Sequence, residues 1–449
     1  MFKKILVANR GEIALRIMRT CRDMGIETVA VYSKADKDSR VVKLADQAIM
    51  IGPPASSKSY LHIPNIIGAA MMTGAEAIHP GYGFLSQDPY FAEICNDHGI
   101  TFIGPPPEVM EKMGDKSVAR RLMLEAGLPL SPGTTEPLVT VDQAREVAGE
   151  IGYPVILKAS AGGGGRGMTV VWNREDLPQA YSTTRSQAQA FFGNDDVYIE
   201  KYIVEPHHVE VQVIGDSFGN VVHLGERDCS IQRRHQKIIE EAPSSILDDN
   251  LRQRIGAAAV AGAAAIGYTS AGTMEFLVDK DRNFYFMEMN TRIQVEHPVT
   301  EMVTGLDLIE LQIRVAAGER LPIRQDDVAV RGHSIECRVN AEDPYHNFAP
   351  DCGTIRTFVP PGGSRVRVDT HVYPGYVIPP YYDSLLAKVI VWGADRLEAI
   401  DRMRRALGEF EIEGVKTTIP YHLQILTNPY FRKGEFYTDF IERHMSESH

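Results

Sequence analysis

The sequence predicts a mixed fold, α/β at its beginning and α+β afterwards, and three patterns support this. Residues 1–110 alternate short apolar runs such as KILVA and IETVAVYS with helical segments such as EIALRIMRTCRDMG, which predicts a doubly wound α/β unit. Residues 115–330 add β runs joined by hairpin-type turns, including VYIEKYI, HVEVQVIGD and NVVHLGERD. From about residue 331, the runs HSIECRVNAED, RVRVDTHV and LLAKVIVW predict a β-rich last region with a helix at RLEAIDRMRRALGEF.

Composition excludes several classes of protein. The 449 residues are enough for two to four packed units, and the formal net charge of -12 argues against a nucleic-acid partner. Five scattered cysteines without metal-site spacing indicate a reducing cytosol, so we expect a cytoplasmic protein. The uncharged stretch 255–272 is mostly alanine and glycine, which predicts a closely packed internal helix ending near Gly267 and no membrane segment.

The glycine run KASAGGGGRGM, residues 158–168, predicts a loop that closes over phosphates. It contains GxGxxG, but the β-rich MTVVW follows it, whereas a dinucleotide-binding fingerprint leads into a helix. The remaining interpretations are a strand–loop–strand lid with Lys158 as its adjacent cation, or a merely flexible surface turn.

Acidic side chains in a second stretch, residues 273–301, suggest a magnesium site. The runs TMEFLV and FYFMEMNTR flank the turn DKDRN and should pair antiparallel. Alternation then predicts that one face of the second strand carries Phe286, Glu288, Asn290 and Arg292, with Glu275 on the partner strand within reach of Glu288. Oxygen donors of this kind suit Mg²⁺, and the alternative is a solvated strand face.

A basic cluster lies in ERDCSIQRRHQKIIEEAPS, residues 226–244. Its members are Arg227, Arg233, Arg234, His235 and Lys237. Such a cluster is either a solvated face or the binding site of an anionic substrate, and the residues alone leave both open.

Together these motifs resemble the ATP-grasp superfamily and, more narrowly, the biotin carboxylase family. The likeness runs in one order through ANRGEIALRI, HPGYGFLS, MGDK, KASAGGGGRGM, EKYI, RRHQKIIEEAP, EMNTRIQVEHPVTE, GHSIECRVNAEDP and PPYYDSLLAKVI. It implies a Rossmann-like N-terminal domain (1–114), an ATP-grasp core (115–330) with a hinged glycine-rich lid (about 131–203), and a β-rich C-terminal domain (331–449).

The resemblance also implies a reaction, in which ATP and bicarbonate carboxylate biotin N1′ by way of carboxyphosphate. The implied nucleotide-binding residues are Lys116, Lys158, Gly164, Gly165, Glu200, Lys201, Ile203, His208, Gln232 and His235. Those implied for Mg²⁺ (or Mn²⁺) are Glu275, Glu288 and Asn290, and those for bicarbonate are Lys237, Arg292, Gln294, Val295 and Glu296. Glu296 would act as the general base, Arg292 and Lys237 would steady the anions, and Arg338, with Asp383, would bind biotin and stabilise its enolate.

Partners and alternatives complete these expectations. The 449 residues contain no AMKM-type biotinylation site, so biotin is expected on a biotin carboxyl carrier protein, with carboxyltransferase subunits and a homodimer also implied. The favoured complex is acetyl-CoA carboxylase of fatty-acid synthesis, and the alternative is the separate subunit of a pyruvate or other acyl-CoA carboxylase. Two further alternatives are a carbamoyl-phosphate-type ligase and a non-catalytic nucleotide-binding regulator.

Gln87 departs from the family, which commonly has glutamate there. Without the resemblance, Arg338 would instead be a buried strand arginine paired with Asp383.

Overall fold

The first unit of the chain is a parallel α/β sheet, as predicted. The structure is a computed structural model that describes residues 1–160 and 167–445. The elements of this unit are β1 (Lys4–Val7), α1 (Gly11–Asp23), β2 (Glu27–Ser33), α2 (Arg40–Leu44), β3 (Gln47–Gly52), α3 (Ile63–Thr73), β4 (Ala77–His79), α4 (Pro89–Asp97), β5 (Thr101–Phe102) and α5 (Pro107–Gly114). The strands follow the order β3-β2-β1-β4-β5, all parallel. Because β1 is buried on both faces, Ile5 and Val7 pack against α1 while Leu6 packs toward α3 and α4.

A small separate layer follows the first unit. Its elements are α7 (Val141–Ile151), β6 (Val155–Ala159), β7 (Met168–Val171), α8 (Leu177–Phe192) and β8 (Val197–Lys201). Helix α6 (Lys116–Glu125) precedes them in the chain and packs in the core of the central sheet instead. The three strands form an antiparallel sheet, β7-β6-β8, with a core of its own that includes Val155, Leu157 and Ile199. The predicted strand–loop–strand is therefore confirmed at its two strands. Gly164 and Gly165 lie outside the described residues.

An eight-stranded antiparallel sheet forms the centre of the molecule. Its first part comprises β9 (His207–Gly215), β10 (Val221–Arg233), β11 (Gln236–Ala242), α9 (Asp249–Ala265), β12 (Ser270–Val278), β13 (Phe284–Asn290), α10 (His297–Thr304) and α11 (Leu308–Ala316). The last region comprises β14 (His333–Asn340), β15 (Glu342–Asp343), β16 (Ala349–Pro350), β17 (Thr357–Val359), β18 (Val366–Thr370), β19 (Leu385–Gly393), α12 (Arg396–Glu409), β20 (Glu411–Glu413), α13 (Ile419–Thr427), α14 (Pro429–Lys433) and α15 (Phe440–His444). The strand order is β13-β12-β9-β10-β11-β14-β19-β18, so one sheet continues across residue 330.

The alanine-rich stretch forms a packed helix, as predicted. Helix α9 begins after Asp248, whose side chain caps it by accepting from Leu251 N, and it ends at Ala265. A Cβ on Gly262 would lie 2.8 Å from both Met123 Sδ and Met274 Cε, so the small residue permits this close approach. Among residues 1–160 and 167–445, no helix has the length and apolar character needed to cross a membrane.

Candidate active site

The predicted acidic hairpin is present, with one correction. Strands β12 and β13 pair antiparallel, and Glu275 lies opposite Glu288. The next pair, however, is Phe276 with Phe286, because a bulge at Met287 adds one residue to β13. The prediction that Phe286 shares the face of Glu288 is therefore wrong. The bulge turns the phenylalanines into the core and leaves the carboxylates together on the other face.

Glu275 is the most heavily bonded carboxylate of this face. Its Oε1 accepts from Lys237 Nζ at 3.1 Å, Asn290 Nδ2 at 2.9 Å and Gln294 Nε2 at 2.7 Å. Its Oε2 contacts His208 Nε2 at 2.9 Å. Burial alone would raise the pKa of Glu275, but the Lys237 and His208 charges lower it overall. The carboxylate is therefore ionised at neutral pH, which a cation ligand requires.

Glu288 provides the second carboxylate, beside a cation at a helix start. Asp115 caps α6 by accepting from Ser117 N and Val118 N, which fixes Lys116 as the first residue of that helix. Lys116 Nζ lies 3.9 Å from Glu288 Oε2, and the Glu288 side chain is 32% exposed. Two carboxylates and the Asn290 amide oxygen on one face form an all-oxygen donor set that fits Mg²⁺.

Lys237 is surrounded by three carboxylates. Its ammonium donates to Glu210, to Glu275 at 3.1 Å and to Glu296 at 2.6 Å. Burial alone would lower the pKa of Lys237, but these three charges raise it well above its ordinary value. The group is thus a permanent cation aimed at the same space as Glu296.

Glu296 is held between two cations from distant parts of the chain. Its Oε1 accepts from Lys237 and its Oε2 from Arg338 Nη2 at 2.9 Å. Burial alone would raise the pKa of Glu296, but Lys237 and Arg338 lower it well below its ordinary value. Arg338 also donates from Nε to Glu240 Oε1 at 2.6 Å. The pairing of Arg338 with Asp383 is wrong, because Asp383 is exposed and its Oδ1 accepts from Leu385 N instead.

Arg227 departs from the expected basic cluster. The structure buries it fully, so it belongs to neither a solvated face nor an exposed anion site. Its guanidinium donates to Glu210 Oε1 at 2.5 Å, Thr300 Oγ1 at 2.9 Å and Gln294 Oε1 at 2.7 Å. Because Arg227 occupies the amide oxygen of Gln294, the Gln294 NH₂ group is turned toward Glu275.

Glu200, the first of the residues expected near the nucleotide base, has a side chain that is bonded within the protein. Glu200 Oε2 accepts from Lys158 Nζ at 3.0 Å and Ser131 Oγ at 2.7 Å, and its Oε1 lies 2.8 Å from Arg120 Nη1. Burial alone would raise the pKa of Glu200, but Lys158 and Arg120 lower it overall. The Glu200 carboxylate is therefore engaged within the protein.

The next two residues continue this segment. Lys201 Nζ donates to the carbonyls of Gly152 at 3.0 Å and Tyr153 at 2.9 Å, so its side chain braces the three-stranded layer. Ile203 follows β8 and is half-buried. Side-chain hydrogen bonding by Glu200 and Lys201 is thus directed into the protein.

Three further predicted residues lie on β9 and on the β10–β11 hairpin, namely His208, Gln232 and His235. His208 Nδ1 lies 3.4 Å from Gln232 Nε2, and the other ring nitrogen contacts Glu275. His235 is exposed at the hairpin tip, where Arg234 and His235 have φ of 48° and 65°. Positive φ at both positions is typical of a tight two-residue hairpin, although glycine or asparagine usually occupies it.

Arg292 and Val295 lie on the loop between β13 and α10. Arg292 donates to Gln87 Oε1 at 2.8 Å from Nε and to Asn290 Oδ1 at 3.0 Å from Nη2. The Val295 carbonyl accepts from Lys388 Nζ at 2.8 Å. Both side-chain partners of Arg292 are neutral amides. Within the described residues, Arg292 forms no ion pair with a carboxylate.

Sequence reasoning missed three buried side chains of this site, Glu210, Glu240 and Lys388. It also missed that Arg227 supports the site by bonding Glu210 and Gln294. One signal was available for Glu210, since HVEVQV alternates polar residues with valine and predicts that His208, Glu210 and Gln212 share a face. All nine residues of β9 are buried, so that polar face lies inside the molecule. The other three depend on strand neighbours that are distant in sequence.

Comparison with known proteins follows this geometry. Family models match along most of the chain: "Biotin carboxylase, N-terminal domain" at residues 1–110, "Carbamoyl-phosphate synthase L chain, ATP binding domain" at 115–324, and "Biotin carboxylase C-terminal domain" at 336–443. A biotin carboxylase of Nostoc sp. is 58% identical over 98% of this chain and 99% of its own length.

Two solved structures are similar throughout. The biotin carboxylase of Campylobacter jejuni, described as a beta-gamma-ATP complex, is 54% identical with a TM-score of 0.97, covering 99% of both chains. The biotin carboxylase domain dimer of Hydrogenobacter thermophilus 2-oxoglutarate carboxylase, with MgADP, ADP and bicarbonate, is 53% identical with a TM-score of 0.95, covering 99% of this chain and 98% of its own. The chain therefore belongs to the biotin carboxylase family of ATP-dependent ligases.

Proposed function

We propose that this chain catalyses the ATP- and bicarbonate-dependent carboxylation of biotin N1′ on a biotin carboxyl carrier protein, as the first half-reaction of acetyl-CoA carboxylase. The observation that carries the proposal is the Lys237–Glu296–Arg338 arrangement, a buried carboxylate between two cations. It lies next to the Glu275–Glu288 pair through the shared Lys237 bond. A base, an anion-binding cation and a metal-binding acid face are therefore within one connected network.

The phosphate end of the site is assigned to Lys116 and Lys158. The Lys116 ammonium is next to Glu288, and burial lowers its pKa while Glu288 opposes that shift. ATP phosphates are the expected partners for these cations, and the glycine run that contains Gly164 and Gly165 begins four residues after Lys158. Glu200, Lys201 and Ile203 would then border the adenine.

The acid face would hold Mg²⁺ (or Mn²⁺) through Glu275, Glu288 and Asn290. When bound, such an ion supplies charge neutralisation for the ATP phosphates. The protein keeps this face ready because Asn290 and Gln294 donate to one oxygen of Glu275 and His208 contacts the other. On the neighbouring hairpin strands, Gln232 and His235 would contact the ribose or the phosphates.

Bicarbonate is assigned to the space between Lys237, Arg292, Gln294 and the Val295 backbone. Glu296 would remove its proton at a carboxylate oxygen, and the bicarbonate oxygen would then attack the γ-phosphorus to give carboxyphosphate. In the free protein Lys237 holds the pKa of Glu296 down. Bicarbonate that pairs with Lys237 reduces this effect, so the pKa of Glu296 rises and Glu296 becomes a stronger base.

The biotin end is assigned to Arg338, whose guanidinium is fixed by Glu240 and Glu296. Its charge is permanent, because those carboxylates raise its pKa against the effect of burial. Asp383 is exposed and would contribute to the biotin site from the surface. Within the described residues it forms no ion pair with Arg338.

The acceptor complex, assembly and location belong to the same proposal. We favour acetyl-CoA carboxylase, with carboxyltransferase subunits as further partners, a homodimer and a cytoplasmic location. The five unpaired cysteines support a reducing compartment, and the Hydrogenobacter relative is described as a dimer. We also propose the domain bounds 1–114, 115–330 and 331–449, with the lid at 131–203.

A phosphate-release assay tests the reaction. We expect ATP cleavage to require bicarbonate and to be stimulated by free biotin. Absence of biotin stimulation, with carbamoyl phosphate formed from ammonia, would support the carbamoyl-phosphate-type alternative. Bicarbonate-independent ATP binding without turnover would support a nucleotide-binding regulator.

A second assay identifies the complex. The carrier protein that co-purifies with the tagged chain is carboxylated with ¹⁴C-bicarbonate and then offered acetyl-CoA, pyruvate or 2-oxoglutarate with the co-purified transferase. Label in malonyl-CoA supports the proposal. Label in oxaloacetate or in a carboxylated 2-oxoglutarate would replace it with the corresponding carboxylase.

A further inference from the structure

Lys388 is a buried cation that the reaction described above does not use. It lies on β19 directly opposite Arg338 of β14, so the two side chains share one face of the central sheet. Its side chain is 0% exposed, although lysine is almost never fully buried unless it is paired. The surroundings of its ammonium therefore indicate why a charge is kept there.

The Lys388 ammonium joins two distant parts of the chain. It donates to the carbonyl oxygen of Val295 at 2.8 Å and lies 3.2 Å from Glu12 Oε1. Glu12 is in the first turn of α1 and also accepts from the Tyr82 hydroxyl. The first α/β unit, the central sheet and the loop before α10 thus meet at one nitrogen atom.

Lys388 bonds a backbone carbonyl although two other carboxylates lie on neighbouring strands. Glu336 is two residues from Arg338 on β14, and Asp369 of β18 lies directly opposite Lys388. Asp369 is occupied by Arg367, whereas both carboxylate oxygens of Glu336 lack a hydrogen-bond partner within the described residues. The ammonium nevertheless donates to a backbone carbonyl, which a purely stabilising ion pair would not require.

The bonded carbonyl belongs to the peptide that joins Val295 to Glu296. Because a peptide unit is planar, fixing this oxygen limits ψ of Val295 and φ of Glu296 together. The Val295 side of the plane carries the backbone assigned to bicarbonate, and the other side carries the carboxylate assigned as the base. One bond can therefore set the distance between the bound anion and its base.

We propose that Lys388, supported by Glu12, is a positioning residue that fixes the Val295–Glu296 peptide so that bicarbonate and the base are held in register. This inference rests on the proposed bicarbonate site. It assigns to α1, in a different layer of the molecule, a part in the binding of bicarbonate.

The experiment is bicarbonate-dependent ATP cleavage by Lys388→Met, in which an unbranched apolar chain replaces the amine. We expect the bicarbonate KM to rise about tenfold or more and the ATP KM to change less than about twofold, because only the anion site loses its support. In Glu12→Gln the amide oxygen can still accept from Lys388. That variant should therefore fold and show a smaller rise, about two- to fourfold, in the same constant.

The matched control is Arg396→Met. Arg396 is also a mostly buried cation, and it pairs with Glu241 at 2.7 Å. It should lower the melting temperature without moving the bicarbonate KM. The proposal is overturned if Glu12→Gln and any folded Lys388→Met keep the wild-type bicarbonate KM, or if Arg396→Met raises it equally. A wild-type protein without bicarbonate-dependent turnover would instead overturn the proposed function.

Discussion

Replacement of Glu296 by glutamine isolates the assigned base from the rest of the site. Glu296 accepts from Lys237 at 2.6 Å and from Arg338 at 2.9 Å, one bond on each oxygen. Glutamine has nearly the same shape, but it keeps one acceptor and presents an NH₂ group to the other cation. It can no longer take a proton from bicarbonate.

Two magnitudes follow from these contacts. Loss of a general base lowers turnover about 10²–10⁴-fold, equivalent to about 3–5 kcal/mol of barrier. The cost to folding is smaller, because Lys237 keeps Glu210 and Glu275 and Arg338 keeps Glu240. Since neither cation is left unpaired, we expect a loss of about 1–3 kcal/mol in the free energy of unfolding.

The assay is bicarbonate-dependent phosphate release at saturating ATP, with ATP affinity measured separately. We expect kcat to fall at least about 100-fold while ATP still binds with near wild-type affinity. Glu241→Gln is the matched control, because this carboxylate is equally buried and accepts from Arg396 at 2.7 Å. The reasoning is refuted if Glu296→Gln retains more than about a tenth of wild-type turnover, or if Glu241→Gln loses as much.

Four other substitutions test the biotin end, a buried ion pair and the packing of two helices. Arg338→Lys keeps the charge but removes the planar fork, so biotin-stimulated phosphate release should fall at least about 100-fold and biotin-independent release less than about tenfold; equal losses would contradict the assignment. Asp36→Asn breaks the buried pair with Arg10 (2.8 Å) and should cost about 3–5 kcal/mol of unfolding free energy at pH 7. Burial alone would raise the pKa of Asp36, but Arg10 lowers it overall, so the wild-type advantage exists above about pH 4 and disappears as the pH falls through the lower folded-state pKa. Urea unfolding at several pH values checks this, and a gap that widens in acid would count against it. Gly262→Val should cost about 1–3 kcal/mol through overpacking, whereas Gly68→Ala, in an open helical position, should gain about 0.5–1 kcal/mol; urea unfolding with the reverse order would contradict the packing.

The sequence predicts local structure well where the pattern is local. Hydrophobic periodicity identifies the strands and helices of the first unit, and the Glu275–Glu288 hairpin follows from two short β runs around one turn. The bulge at Met287 is not visible, because a single inserted residue leaves the composition of both runs unchanged. One residue of register then reverses the predicted face of Phe286.

Contacts between distant strands account for the other differences. Arg338 meets Glu240 and Glu296 only because β11 and β14 are neighbours in the central sheet, and no local pattern specifies that neighbour. In the same way, the local sequence indicates that Arg227 belongs to a basic cluster. In the structure β10 lies at the centre of the sheet, and Arg227 is fully buried.

The central claim is that the site phosphorylates bicarbonate, and isotope transfer tests it most directly. ATP, biotin and ¹⁸O-labelled bicarbonate are incubated with the protein, and the released phosphate is analysed by mass spectrometry. The account predicts one ¹⁸O atom in each phosphate formed, because the bicarbonate oxygen that attacks phosphorus stays with it. Unlabelled phosphate at an equal rate of carboxybiotin formation would contradict the account.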